Sequence, residues 1–114
     1  MRPSPWVPAQ LADPIQSLVG PWLRGTTGPL ATAEVLLQAS VVGLYFGASW
    51  CRPCCDFVPL LADAYKSCLA KRGLEVVFVS WDRDPAGFDA CFRPQPWLAV
   101  PFAAQDVRTA LNAH

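Results

Sequence analysis

Little in this sequence ties it to a membrane, a nucleic acid or a metal. Just over half of its 114 residues are apolar, yet no apolar run approaches the roughly 20 residues of a membrane span. Neither charge sign dominates, with nine Lys and Arg against nine Asp and Glu. The basic residues are scattered rather than striped, so electrostatics offers nucleic acid no footing. Behind Arg2 there is no apolar core of a signal peptide, so secretion is not expected. The single histidine, His114, is terminal, which leaves a cysteine–histidine hydrolase without a base. A second paired-ligand knuckle is missing as well, so Cys51, Cys54 and two other cysteines do not make a zinc site. Neither metal nor cofactor is expected. The five cysteines follow no regular framework. That suits one functional pair in a reducing, cytoplasmic setting better than a disulfide-stapled secreted domain. Internal repeats are absent too.

What the sequence does have is Ser49-Trp50-Cys51-Arg52-Pro53-Cys54-Cys55. Two cysteines separated by two residues can close a small reversible disulfide ring. At the start of a helix, the first sulfur sits near unpaired backbone N–H groups and the positive end of the helix dipole. Both favour the thiolate, the nucleophile of thiol–disulfide exchange. Arg52 adds a positive charge, and Pro53 suits the first helical turn because it lacks the N–H that would go unused there. The spacing alone also fits zinc knuckles, so the flanking elements decide.

Those elements form a βαβ unit. Val41–Phe46 reads as a strand buried on both faces. Phe57, Leu60, Leu61, Ala64, Tyr65, Cys68 and Leu69 recur at helical spacing and define an apolar face, with Gly73 as the stop. Leu74–Val79 reads as a second buried strand. A dithiol at such a strand-to-helix junction has the form of a thioredoxin-like redox motif. Pro59 lies inside the helical pattern, where it removes a backbone bond and is expected to kink the helix.

The segment from Val41 to about Ala113 resembles the tryparedoxins and the related nucleoredoxins. The resemblance rests on Tyr45-Phe46, Ala48-Ser49-Trp50-Cys51, Pro53-Cys54, Phe57, Pro59, Glu75-Val76-Val77-Phe78, Trp81-Asp82, Gly87-Phe88 and Pro96-Trp97-Leu98-Ala99-Val100-Pro101-Phe102. It implies an α/β, thioredoxin-like fold, a βαβ core with flanking helices. In that family an isoleucine–cis-proline–threonine segment, a β-hairpin and a last helix lie further on. The chain to His114 is expected to lack them, so Val41–Phe46 becomes a sheet edge open to pairing with a second copy.

Residues 1–33 are expected to form a proline-rich segment packed on a domain spanning 34–114. Prolines and glycines punctuate it too often for a long helix or strand, although a helical turn fits Leu11–Leu18. Ala33–Ala39 is compatible with a strand or a short helix. Asp84 is an N-cap candidate with Pro85 behind it, opening a helix that buries Phe88, Cys91 and Phe92. Trp97–Phe102 reads as an extended connection, since Pro96 and Pro101 deny ladder donors. Ala103–Ala113 reads as a helix with Val107, Ala110 and Leu111 inward.

At the site, Cys51 is assigned as nucleophile and Cys54 as the resolving thiol, the two forming the redox-active disulfide. Cys55 points roughly 100° away from Cys54 on a helix and reads as packing or partly exposed. Cys68 and Cys91 read as core residues. The resemblance adds Trp50 as a shield and contact surface, Tyr45 beneath the disulfide, Trp81 approaching from the second strand, and Asp82 beside the resolving thiol. It further implies a thiol–disulfide oxidoreductase that carries electrons from a trypanothione-like, low-molecular-weight dithiol to protein disulfides such as those of peroxiredoxins. Where tryparedoxins are acidic this chain has Arg83-Asp84-Pro85-Ala86, a less negative surface for a cationic thiol. The alternative is a redox-inactive or weakly active paralogue that serves as a binding or regulatory module.

Overall fold

A computed structural model describes residues 15–113. Residues 15–19 are helical. Then follow β1 (Trp22–Arg24), β2 (Pro29–Ala31), α1 (Thr32–Gln38), β3 (Val41–Gly47), α2 (Arg52–Ala64), β4 (Leu74–Ser80), α3 (Pro85–Phe92), β5 (Leu98–Ala99) and α4 (Gln105–Asn112). They build a mixed α/β fold around a five-stranded sheet of order β2-β1-β5-β4-β3. The strand–helix–strand unit β3-α2-β4 is parallel, in register from Val41↔Leu74 to Gly47↔Ser80. Strand β5 adds parallel to β4, and β1 closes onto β5 through Arg24↔Ala99.

The sheet is covered on both faces, and the alternation of β4 shows how. Val76 and Phe78 point to one face, among Ala62, Phe88, Phe92 and Trp97. Val77 and Val79 point to the other, among Val19, Leu23, Leu98, Val100 and Leu111. This is the period-two pattern of a central strand. The first face is aromatic, with Phe78, Phe88 and Phe92 ring centroids 5.8–6.3 Å apart. Trp97 is buried with its indole satisfied, donating to Gln95 Oε1 at 2.7 Å while Gln95 Nε2 donates to the Cys91 carbonyl at 2.9 Å.

Several expectations change here. Residues 22–31 do not wrap a finished domain; they supply two strands of the sheet, short ones because prolines and glycines bound them. The expected helical turn at Leu11–Leu18 is seen over residues 15–19, and residues 1–14 lie outside the described residues. Leu98–Ala99 is a true strand, since Pro96 and Pro101 flank the pairing residues instead of occupying them. Ala110 faces outward, leaving Leu111 as the buried anchor of α4.

The largest change concerns the active-site strand and helix. Val41–Gly47 is not buried on both faces; it is an edge strand among the described residues, as expected for Val41–Phe46, with Val41 60% and Leu44 38% exposed. For the same reason Phe57 and Leu60 of α2 are exposed, because no strand underlies them beyond β3; Val58 and Ala62 are the buried residues instead. The helix runs through Pro59 and changes only at Tyr65–Leu69, a π turn, before a 3-10 turn at Ala70–Arg72. Gly73 ends it at φ 94°, where a Cβ would come within 2.5 Å of Ser40 Oγ. Only glycine suits both demands.

Candidate redox site

The C-terminal ends of β3 and β4 lie side by side in the parallel ladder, so the segments that follow them meet at one end of the sheet. After β3 the chain runs through Ala48-Ser49-Trp50 into Cys51, the N-cap of α2, with a proline in the first turn. Cys51 and Cys54 form a disulfide with Cα atoms 5.3 Å apart. The Cys54 N–H donates to Cys51 Sγ at 3.3 Å. A capping sulfur thus takes the place of the usual hydroxyl or carboxylate at the orphan donors of the helix start.

Tyr45 lies beneath. Its hydroxyl donates to the Cys54 carbonyl at 2.5 Å, and its ring packs against Phe57, Phe78 and Trp97. Burial, helped by the nearby Cys91 and Cys55 sulfurs, pushes its pKa up to about 12. Tyr45 therefore stays a neutral donor throughout the physiological range.

Trp81, at the end of β4, stacks on Trp50 with centroids 6.4 Å apart and planes at 21°. The two indoles form an exposed plate next to the disulfide, Trp50 being 65% exposed. Asp82 follows Trp81 directly. It is only 4% exposed, and its hydrogen bonds run to the loop before Cys51. The Ser49 N–H and O–H donate to Asp82 Oδ1 at 3.0 and 2.6 Å, and Ser80 Oγ donates to Oδ2 at 3.1 Å. A Cβ at Gly87 would come within 2.8 Å of Asp82 Oδ1, so α3 approaches this carboxylate through a residue without a side chain. Asp84 caps α3 by accepting from the Gly87 N–H at 2.7 Å.

Arg52 is exposed and pairs with Asp56 through Nε–Oδ1 at 3.4 Å, which partly offsets its charge. Pro53 is exposed in the first turn. Cys55 is an exposed free thiol whose Sγ lies 3.7 Å from the Ala48 and Ser49 carbonyls. Cys91 is buried, and burial first, then Asp82 and Cys55, pushes its thiol up to about 12. Cys68 is half-buried rather than a full core residue. Among the described residues no cluster of three or more His, Cys, Asp or Glu is placed to hold a metal, and no helix is long and apolar enough to cross a membrane.

Sequence reasoning assigned no role at the site to Ser49, Ser80, Gly87 or Arg108. The repeated Ser-Trp dipeptide, Ser49-Trp50 and Ser80-Trp81, was the signal for the serines, one at each of the two chain segments that meet here. Arg108 comes from α4, lies 4.2 Å over the Phe102 ring, and donates to the Phe102 carbonyl at 2.9 Å. Burial lowers its pKa, an effect opposed by Asp82.

A family model described as thioredoxin-like matches residues 39–114. Probable nucleoredoxin 1 of Arabidopsis thaliana is 48% identical over 76 residues, covering 67% of this chain and 13% of that protein. The crystal structure of native tryparedoxin I from Crithidia fasciculata superposes with a TM-score of 0.77 at 36% identity, covering 88% of this chain and 69% of that one. A tryparedoxin II solved in complex with glutathionylspermidine superposes with a TM-score of 0.77 at 29% identity, covering 87% and 69%. The chain spans 24–25% of the vertebrate nucleoredoxins it matches.

Proposed function

This chain belongs to the thioredoxin-like family, alongside the tryparedoxins and nucleoredoxins, and on that premise we propose that it is a thiol–disulfide oxidoreductase working through Cys51 and Cys54. The single observation that carries this reading is the placement of Cys51 Sγ at the N-cap of α2 with the Cys54 N–H directed at it. The same donors that hold the sulfur stabilise its thiolate once the disulfide is reduced.

In the reaction, the Cys51 thiolate attacks one sulfur of a substrate disulfide. An S–S bond forms to Cys51, the substrate bond breaks, and one substrate thiolate leaves. Cys54 then loses its proton and attacks Cys51 Sγ, releasing the second substrate thiolate and closing the Cys51–Cys54 disulfide. A low-molecular-weight dithiol reverses this by two exchanges and leaves as its own disulfide. Trp50 and Trp81 provide the flat surface on which the substrate rests. Tyr45 is a positioning residue that fixes the carbonyl of Cys54, and Asp82 is another, holding Ser49 and so the approach to Cys51. Arg52 and Pro53 shape the first turn.

The glutathionylspermidine bound by the tryparedoxin II relative supports a small thiol as donor. Protein disulfides, those of peroxiredoxins among them, are the acceptors in this reading, and a reducing cytoplasm is the setting. A second reading, a binding module with a weak dithiol, draws on the exposed β3 edge with Val41 and Leu44. That edge is where a second copy would pair.

The test is reduction of insulin or a peroxiredoxin by the chain with dithiothreitol as donor. Turnover above the dithiothreitol background, lost in Cys51→Ser, supports the oxidoreductase. No turnover, together with dimers on size-exclusion chromatography, supports the binding module.

A further inference from the structure

Three free cysteines stand outside the Cys51–Cys54 disulfide, and two of them are neighbours. Cys55, in the first turn of α2, is exposed, and its Sγ lies 3.7 Å from the carbonyls of Ala48 and Ser49. Helix α3 approaches the same loop. The Cβ position of Gly87 falls 3.2 Å from Ser49 Oγ, and Cys91 follows Gly87 by one turn on the same face of α3. Cys91 is buried in the cluster that holds Ala62, Phe88 and Trp97, and its Sγ accepts from Gln95 Nε2 at 3.8 Å. The two sulfurs feel each other directly. Cys55 raises the Cys91 pKa by charge and by side-chain contact, and both raise that of Tyr45.

The other cysteines are poorer partners for Cys55. Cys54 is its sequence neighbour, with a side chain pointing roughly 100° away on the helix. Cys68 follows at the far end of the same helix, roughly 20 Å on at the α-helical rise of about 1.5 Å per residue. The neighbours themselves differ as a stepwise exchange requires. Cys55 is open to an oxidant from solvent, whereas Cys91 is enclosed.

We propose that Cys55 and Cys91 are a second redox-active pair, a modification site at which a low-molecular-weight disulfide oxidises them to a Cys55–Cys91 bond joining α2 to α3. Cys55 gives up its proton and attacks one sulfur of the oxidant. An S–S bond forms to Cys55, the oxidant's bond breaks, and one thiolate leaves. Cys91 then gives up its proton and attacks Cys55 Sγ, which releases the second thiolate and closes the Cys55–Cys91 disulfide. Two protein thiols are oxidised, the oxidant is reduced to two small thiols, and the two protons end on those. The step uses neither Cys51 nor Cys54, so it goes beyond the exchange reaction proposed above.

The test uses the Cys51→Ser/Cys54→Ser double variant, reduced and then exposed to hydroxyethyl disulfide. Remaining thiols are blocked with N-ethylmaleimide in denaturant, and a non-reducing tryptic digest is mapped by mass. Lys66 and Arg83 place Cys55, Cys68 and Cys91 in separate peptides. The Cys55 and Cys91 peptides should appear linked, two hydrogens lighter than their sum. A further Cys91→Ser change should leave a lasting hydroxyethyl adduct on Cys55 instead. Unfolding the chain before oxidation should abolish the preference for this link over those with Cys68. The same link should form in the parent chain, which guards against a folding defect of the double variant. A lasting adduct on Cys55 beside a free Cys91 overturns the proposal. So does a Cys55–Cys91 link no more abundant than in the unfolded chain, or one that joins two chains. Because neither active-site sulfur is present in the double variant, failure here leaves the exchange centre untouched.

Discussion

A carboxylate as enclosed as Asp82 requires donors, and it takes them from Ser49 and Ser80. Removing it strands those donors at the entrance to the active-site turn. Asp82→Ala should cost about 1–3 kcal/mol, the penalty of leaving buried polar groups unpaired. Denaturant unfolding measures this, and a midpoint equal to that of the parent would contradict the positioning role. Reactivity at the same scale follows from the helix start. After reduction, brief iodoacetamide treatment near neutral pH should label Cys51 before Cys55, although Cys55 is exposed, and should leave Cys91 unlabelled behind its raised pKa and burial. Peptide mass mapping reads the order, and first labelling at Cys55 would remove Cys51 as nucleophile.

Among the elements, the turn at Gly73 joins α2 to the central strand. Gly73→Ala would force a side chain into a left-handed backbone and against Ser40; a loss of about 1 kcal/mol or more is expected. The β3 edge makes a second demand. In hydrogen exchange, amides of Val76–Val79 should outlast those of Val41–Phe46, because β4 is paired on both sides and β3 on one. Equal protection in both strands would mean that the β3 edge is covered by another chain or segment. The βαβ unit, the Asp84 cap and the helix stop at Gly73 were legible in the sequence because each depends on local patterns of few residues. The exposure of Phe57 and Leu60 was not, since helical spacing marks an apolar stripe without saying whether a strand lies under all of it. Likewise Leu98–Ala99 owes its strand character to pairing with β4 and β1, a long-range matter that its flanking prolines hide. At the site, the cysteine pair and both tryptophans were readable from spacing and resemblance, whereas the Ser49–Asp82 bond joins residues 33 apart.

For the molecule as a whole, three weak acids, Cys91 buried and Tyr45 and Tyr65 partly so, tie stability to alkaline pH. Tyr45, Tyr65 and Cys91 all have pKa values raised to about 12 in the folded chain, mainly by burial. The unfolded chain releases these protons nearer 9 to 10. Between those limits the unfolded state binds fewer protons, so stability is fully present below about pH 9 and declines as pH rises towards 12. Thermal unfolding across that window should show a falling Tm, and tyrosine absorbance should register late ionisation that coincides with unfolding. A flat Tm to pH 11 would contradict the burial of these groups.

The exchange chemistry itself is tested most directly by trapping. Reduced Cys54→Ser is mixed with an oxidised disulfide substrate, and the products are resolved by non-reducing mass spectrometry. With Cys51 as the attacking sulfur and Cys54 as the resolving one, a mixed disulfide through Cys51 should accumulate stoichiometrically, whereas Cys55→Ser should turn over as the parent does. Normal turnover by Cys54→Ser, or an adduct on Cys55 in place of Cys51, would contradict the assignment of the pair.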